Sequence, residues 1–276
     1  MKKKLALILA GTAMAAMVLA GCGDKNNASG EDVKTAESVE DKKTFTVGFD
    51  AEYPPYGYMD ENGEYTGFDL ELAEAVCKLE GWELVKKPLN WDSKDMELNS
   101  GSIDCIWNGF TMNGREDDYT FSTPYVDNSQ VIVVAEKSGI DTLEDLAGKT
   151  VGVQAASAAL DLLKSEEEGG QKKLADTFGA LNEFADYNTA FTELQAGALD
   201  ALAIDVGVAN YQIKSRGEGY KILDETLNTE QYAIGFKKGN QELCDVVNAD
   251  LKKLTEDGTV AKLAEKYEIA GMVTLK

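Results

Sequence analysis

The chain has 276 residues, 49 of them Asp or Glu against 27 Lys or Arg and no histidine, for a formal charge of −22 at neutral pH. That balance disfavours nucleic acid as a partner, because affinity for a phosphate backbone comes from neutralising it. The lack of histidine removes the commonest general base and metal ligand, and with it Ser-His-Asp and Cys-His catalysis.

The first element in chain order is an export signal. Lys2, Lys3 and Lys4 form a positive start, residues 5–20 are apolar or small, and Leu19-Ala20-Gly21-Cys22 follows directly. Residues 1–21 are therefore expected to be removed, since a spanning helix needs ~20 apolar residues and lacks a terminal run of small ones. The junction resembles the lipobox of bacterial lipoproteins, which makes Cys22 the expected lipidation site; the plainer alternative is an ordinary secretory cleavage site. Each buried acyl methylene contributes about 0.8 kcal/mol, so two or more chains such as palmitate on one cysteine hold a protein at a surface. Without the three signal lysines the balance is 24 basic to 49 acidic side chains, a charge of −25. An acidic surface of that kind repels anionic headgroups and leaves membrane residence to the acyl chains. Residues 22–43 are polar without apolar periodicity and are expected to be a disordered tether.

The globular part is expected from residue 44. Residues 45–49 read as a strand, 68–79 as an amphipathic helix stopped by Gly81, 82–89 as a strand, 96–100 as a helix end closed by Gly101, and 103–107 as a buried strand. In the second half, strands at 150–153, 182–185, 198–204 and 220–223 alternate with helices at 158–164, 189–196 and 206–213. The strand-like runs 130–137 and 231–238 bracket that half and are the expected crossings, and helices at 241–256 and 258–267 close the chain. Two segments recur in the same order: Thr46-Val47-Gly48-Phe49-Asp50 as Thr150-Val151-Gly152-Val153-Gln154, and 97–106 as 193–202. Alternating strands and helices imply parallel sheets covered by helices, and the recurrence implies two lobes of one plan. The expected fold is therefore α/β, with two Rossmann-like lobes joined by a two-strand hinge. Residues 44–132 and 236–276 are expected to form lobe 1 and residues 133–235 lobe 2, with ligands bound where the carboxyl ends of both sheets face one cleft.

Cys77, Cys105 and Cys244 lie in apolar runs with no C-x-x-C spacing, so packed thiols are expected rather than a metal or redox site; one disulfide stays open. No cofactor or metal is implied.

Together these segments resemble the amino-acid-binding lipoproteins of ABC importers, which have the type II periplasmic-binding-protein fold. The resemblance covers 44–269 and rests on Asp50-Ala51-Glu52-Tyr53-Pro54-Pro55-Tyr56, Gly67-Phe68-Asp69-Leu70-Glu71-Leu72-Ala73, Gly109-Phe110-Thr111 with Arg115, Phe121-Ser122-Thr123-Pro124-Tyr125 and Lys237-Lys238-Gly239. It implies that Arg115 grips a ligand α-carboxylate, as a guanidinium fork suits, although the segment 111–115 is one residue shorter than the commoner pattern. It implies that Asp205 pairs the α-ammonium, the plainer alternative being a helix cap before Val206. Gly109 would supply a backbone group, Thr111 and Ser157 hydroxyls, and Tyr53 and Trp91 the aromatic walls; Ser157 also suits an N-cap. Asp50 and Gln154 end equivalent strands and Asn108 ends a third, so a pocket rich in acceptors is expected, suited to a polar or cationic side chain.

The function implied is a lipid-anchored, monomeric binding protein outside the cytoplasmic membrane, serving permease and ATPase subunits. The competing readings are a lyase resembling cyclohexadienyl dehydratase, using Glu or Asp as acid or base, and a ligand sensor module. The complete α-amino-acid clamp, without a further catalytic carboxylate, argues for binding.

Overall fold

The computed structural model describes residues 39–276 except Glu218. The expected signal segment 1–21, the lipidation site Cys22 and the tether up to residue 38 lie outside the described residues. The chain runs β1 (Thr44–Phe49), a meander of β2 (Glu52–Tyr53), β3 (Gly57–Met59) and β4 (Tyr65–Thr66), then α1 (Phe68–Glu80), β5 (Glu83–Pro88), α2 (Lys94–Asn99), β6 (Cys105–Ile106) and β7 (Tyr119–Phe121). It continues with β8 (Val126–Ala135), β9 (Thr150–Gln154), α3 (Ala158–Lys164), α4 (Lys172–Ala175), β10 (Ala180–Phe184), α5 (Tyr187–Ala196), β11 (Ala201–Asp205), α6 (Val206–Arg216), β12 (Tyr220–Ile222) and β13 (Asn228–Tyr232). It ends with β14 (Gly235–Lys237), α7 (Gln241–Glu256) and α8 (Thr259–Lys266).

Two sheets carry the lobes. The first has the order β5-β1-β6-β14-β7, with β1 parallel to β5 and β6 and β14 antiparallel to its neighbours. The second has the order β10-β9-β11-β8-β12, with β13 also paired to β8.

The internal repeat has a physical meaning at two glycines. A Cβ on Gly48 would fall 2.4 Å from Ile103 Cδ1, and one on Gly152 would fall 2.5 Å from Leu199 Cδ1. Each glycine thus lets the apolar residue that follows a helix-ending glycine, Gly101 or Gly197, lie directly over the strand. The next residue locks the turn: Asp104 accepts from the Thr46 N–H at 2.7 Å, and Asp200 from the Thr150 N–H at 2.8 Å. The register matches as well, Gly48 pairing Ile106 and Gly152 pairing Leu202.

The chain crosses between the sheets twice, and the crossings are bonded to each other. The Ser122 N–H donates to the Ile234 carbonyl at 3.0 Å, Ser122 Oγ accepts from the Ile234 N–H at 2.9 Å, and the Tyr125 N–H reaches the Tyr232 carbonyl at 2.9 Å. β8 starts at Val126, ahead of the expected 130, because Asp127, Asn128 and Ser129 are polar yet pair with β13. The second crossing divides into β13 and β14 around Ala233 and Ile234. α7 and α8 return to pack on α1.

One buried apolar cluster includes residues of both lobes, Phe45, Phe49 and Tyr56 with Tyr187, Phe191 and Ile204. Each lobe also has its own cluster on the far sheet face. Cys77, Cys105 and Cys244 are buried free thiols. Within the stretch expected as tether, Val39–Asp41 form one 3₁₀ turn and Lys42 Nζ donates to Asp104 at 2.6 Å.

Candidate functional site

The carboxyl ends of both sheets bring Asp50, Asn108, Gln154 and Asp205 to one place, and all four side chains are buried. In front of them Tyr53, Trp91, Gly109, Thr111, Arg115, Gln154, Ser157, Ala158 and Asp205 surround a cavity of about 10 Å³, room for roughly one water molecule. Eight of the ten residues singled out in the sequence face this space. The other two stand behind it: Asn108 Oδ1 accepts the Asp50 N–H at 2.8 Å, and Asp50 Oδ2 accepts from Gln154 Nε2 at 2.6 Å across the lobes.

Arg115 forms one end. Its guanidinium lies 5.0 Å from the centre of the Phe110 ring, and Nη2 donates to Asp161 Oδ2 at 2.8 Å. The arginine side chain is 14% exposed and the aspartate 64%, so among the described residues the one carboxylate on the fork is an accessible one from the opposite lobe. Asp161 was not legible as a partner; its one signal is a position four residues after Ser157 in the first turn of α3.

Asp205 forms the other end. It stands where a helix cap would, but its side chain makes no capping bond to α6. Instead Oδ1 accepts from Gln130 Nε2 at 2.6 Å, Asn128 Nδ2 at 2.8 Å and the Tyr232 hydroxyl at 2.6 Å. Burial pushes its pKa up. Sequence reasoning missed all three donors, since Asn128 lies in the polar run 127–129 ahead of the expected strand and Gln130 and Tyr232 read as ordinary residues of the strand-like runs 130–137 and 231–238.

The hydroxyl and backbone groups are partly committed. Ser157 caps α3, accepting from the Leu160 N–H at 3.2 Å, and donates to the Gln154 carbonyl at 2.7 Å. Thr111 Oγ1 donates to Glu230 at 2.8 Å. The Gly109 N–H donates to Asp69 Oδ2 at 2.6 Å, and the same oxygen accepts from the Tyr125 hydroxyl at 2.8 Å. Gly109 has φ 56°, and a Cβ there would meet Tyr232 at 2.9 Å and Tyr53 at 3.0 Å. Only glycine fits this left-handed, crowded position. Asp69 is fully buried, and burial raises its pKa to about 7.

Further bonds hold the lobes together at the rim. Lys94 Nζ, 5.2 Å from the centre of the Trp91 ring, donates to the Ala156 carbonyl at 3.3 Å, and Asn188 donates to Glu52. Beside Trp91 opens a second cavity of about 490 Å³, lined by Pro88, Leu89, Asn90 and Ser93 and by the carboxylates of Asp50, Glu52, Glu97 and Asp186. Glu97 pairs with Lys87 at 2.7 Å. Among the described residues no lysine or arginine lines this space. Burial raises Asp50 to a pKa of about 6, so it is charged only above that pH.

The bacterial extracellular solute-binding proteins, family 3, match this chain over residues 45–270. The arginine-binding extracellular protein ArtP of Bacillus subtilis is 32% identical over 97% of this chain and 98% of its own. The L-cystine-binding protein TcyJ of Escherichia coli is 30% identical over 92% of each. The structure of an ABC uptake transporter substrate-binding protein from Streptococcus pneumoniae with bound histidine superposes with a TM-score of 0.78 at 33% identity, covering 83% of this chain and 94% of that one.

Asp69 gives the site its first test. Asp69→Ala leaves the Gly109 N–H and the Tyr125 hydroxyl buried without an acceptor, at a cost of about 1–3 kcal/mol for each. Asp69→Asn keeps one acceptor oxygen and is expected to cost less. Urea denaturation of the two variants measures this, and equal stability of Asp69→Ala and the unaltered chain would remove Asp69 from the site's framework.

Proposed function

Because this chain belongs to the bacterial extracellular solute-binding proteins, family 3, we propose that it captures a free α-amino acid between its lobes and delivers it to the permease and ATPase subunits of an ABC importer. The observation that carries this reading is the opposed pair of charges at one cavity, Arg115 from the first lobe and Asp205 from the second. A guanidinium binds a carboxylate through two parallel N–H bonds, and a buried carboxylate without a counter-charge binds an ammonium. The zwitterion of an amino acid supplies both partners at once, and its capture bonds one lobe to the other. The named relatives are binding proteins rather than enzymes. The cavity is too small for any amino acid as it stands, so loading requires the lobes to part about the crossings near Ser122 and Ile234. Asp161 then leaves Arg115 to the ligand.

The side chain of the ligand is polar or cationic. It passes Tyr53 and Trp91 and extends beside Asp50 into the neighbouring acidic cavity, where an aliphatic chain would leave acceptors unpaired at roughly 1–3 kcal/mol per group. Relatives named for arginine, histidine and L-cystine fit this chemistry. A thermal-shift panel of the common amino acids and L-cystine tests it. Basic or amide ligands should stabilise most, and Arg115→Ala and Asp205→Ala should each weaken binding by about 2–5 kcal/mol, more than tenfold. Asp50→Asn should change the ranking, and the preference for a cation should fade as pH falls through about 6, where Asp50 takes up its proton. Leucine or valine as the strongest stabiliser, or full affinity in either clamp variant, contradicts the assignment.

The export signal and the Leu19-Ala20-Gly21-Cys22 junction support anchoring by lipid on Cys22 at the outer face of the membrane, and a monomer is the simpler state because a transport partner must reach the cleft rim. Cys22→Ser is expected to move the protein to the soluble fraction. A mature N-terminus away from Cys22, read by intact mass, would overturn the anchor.

A further inference from the structure

Behind Asp205 lies a second acid that the sequence did not bring forward. Glu230 on β13 is 5% exposed, and its Oε1 accepts from Gln130 Nε2, Asn128 Nδ2 and Thr111 Oγ1, each at 2.8 Å. The two amide nitrogens are the ones that serve Asp205, at 2.6 and 2.8 Å. Two carboxyl groups therefore crowd around one pair of amide nitrogens. Asn128 Oδ1 and Gln130 Oε1 are buried with no partner, so both amides are turned with every donor toward the acids. Among the described residues no ion pair joins a lysine or arginine to either acid. The charged group across the cavity is Arg115, whose Nη2 is paired with Asp161 at 2.8 Å rather than with either acid. The other titratable groups facing the pair are Tyr53, Tyr56, Tyr187 and Tyr232, and burial raises all four well above the ordinary range, so they stay neutral.

Two negative charges this close, out of water and without a cation, cannot both persist. We propose that Glu230 and Asp205 hold one proton between them in the unliganded protein and that capture of the ligand ammonium displaces it. The ammonium brings the positive charge that the proton had supplied, the proton passes to solvent, and no covalent bond of the ligand changes. Glu230 is thus a positioning residue of the ammonium end. It keeps a second negative charge available behind Asp205, held off until a cation arrives. Burial, and for Glu230 also the neighbouring Asp205, raises the pKa of both groups, in the direction this sharing requires. The identity of the displacing cation rests on the amino-acid reading above, whereas the shared proton does not.

The unliganded protein is tested by infrared spectroscopy at pH 7. A carbonyl band of a protonated carboxyl group that shifts when all glutamates carry ¹³C at the side-chain carboxyl should be present and should be lost in Glu230→Gln. Asp69, with a pKa of about 7, adds a band of its own that does not respond to glutamate labelling and stays in the variant. The isotope arm needs no variant and holds if Glu230→Gln fails to fold. Absence of any such band that responds to glutamate labelling, or its survival in a folded Glu230→Gln, overturns the proposal. Titration calorimetry with L-arginine in two buffers of different ionisation enthalpy then counts protons. About one should be released per ligand by the unaltered chain at pH 7 and none by Glu230→Gln. Binding heat without proton release, or release that is lost in Asp50→Asn and kept in Glu230→Gln, also overturns it. A failure of L-arginine to bind contradicts the ligand assignment alone, because the infrared result stands without it.

Discussion

A carboxylate at the buried end of a strand has to be given hydrogen bonds or a counter-charge, and the cleft of this protein is organised around Asp205, which has the first and, among the described residues, no ion pair to supply the second. Three donors from β8 and β13 hold one of its oxygens. Those donors stabilise the charge without cancelling it, and they come from strands that adjoin both crossings. The charge state of the cleft and the closure of the lobes are thus tied to the same few residues. Arg115 faces the opposite situation, with its counter-charge supplied by an accessible aspartate from the other lobe. One end lacks a cation and the other has an anion that leaves readily, a combination that suits a zwitterion.

The two lobes reach this arrangement because they repeat one local solution. A glycine in the strand, an apolar residue packed over it and an aspartate returning to the strand's own backbone fix where each strand stops. That stop places Asp50 in one lobe and Gln154 in the other, and the two side chains then meet at 2.6 Å. A repeat that looks like a matter of folding alone therefore decides which polar groups face each other across the cleft.

The sequence made the frame readable where its signals are local. Helices at 158–164 and 241–256 have the bounds expected from their apolar spacing, and strands carrying glycine in a β-branched run lie where they were placed. The β2–β4 meander was not legible, because each strand is only two or three residues long and is interrupted by proline and glycine. The site divided along the same line. Residues at strand ends, such as Asp50, Gln154 and Asp205, announce themselves as polar groups terminating apolar runs. Asn128, Gln130 and Glu230 act through pairing between strands distant in sequence, and Asp69 through a bond to a loop forty positions away; neither leaves a mark in local spacing. Family resemblance pointed to the ligand end of Asp205 but not to the second acid behind it.

The central claim is that one amino acid lies with its carboxylate on Arg115 and its ammonium on Asp205, one contact per lobe. A crystal structure of this chain grown with L-arginine tests that most directly. The account predicts a bidentate carboxylate on Arg115 with Asp161 displaced, the ammonium within hydrogen-bond distance of Asp205, and the guanidinium of the ligand beside Asp50. An amino acid bound with its ends reversed, or held with Arg115 still paired to Asp161, would contradict it.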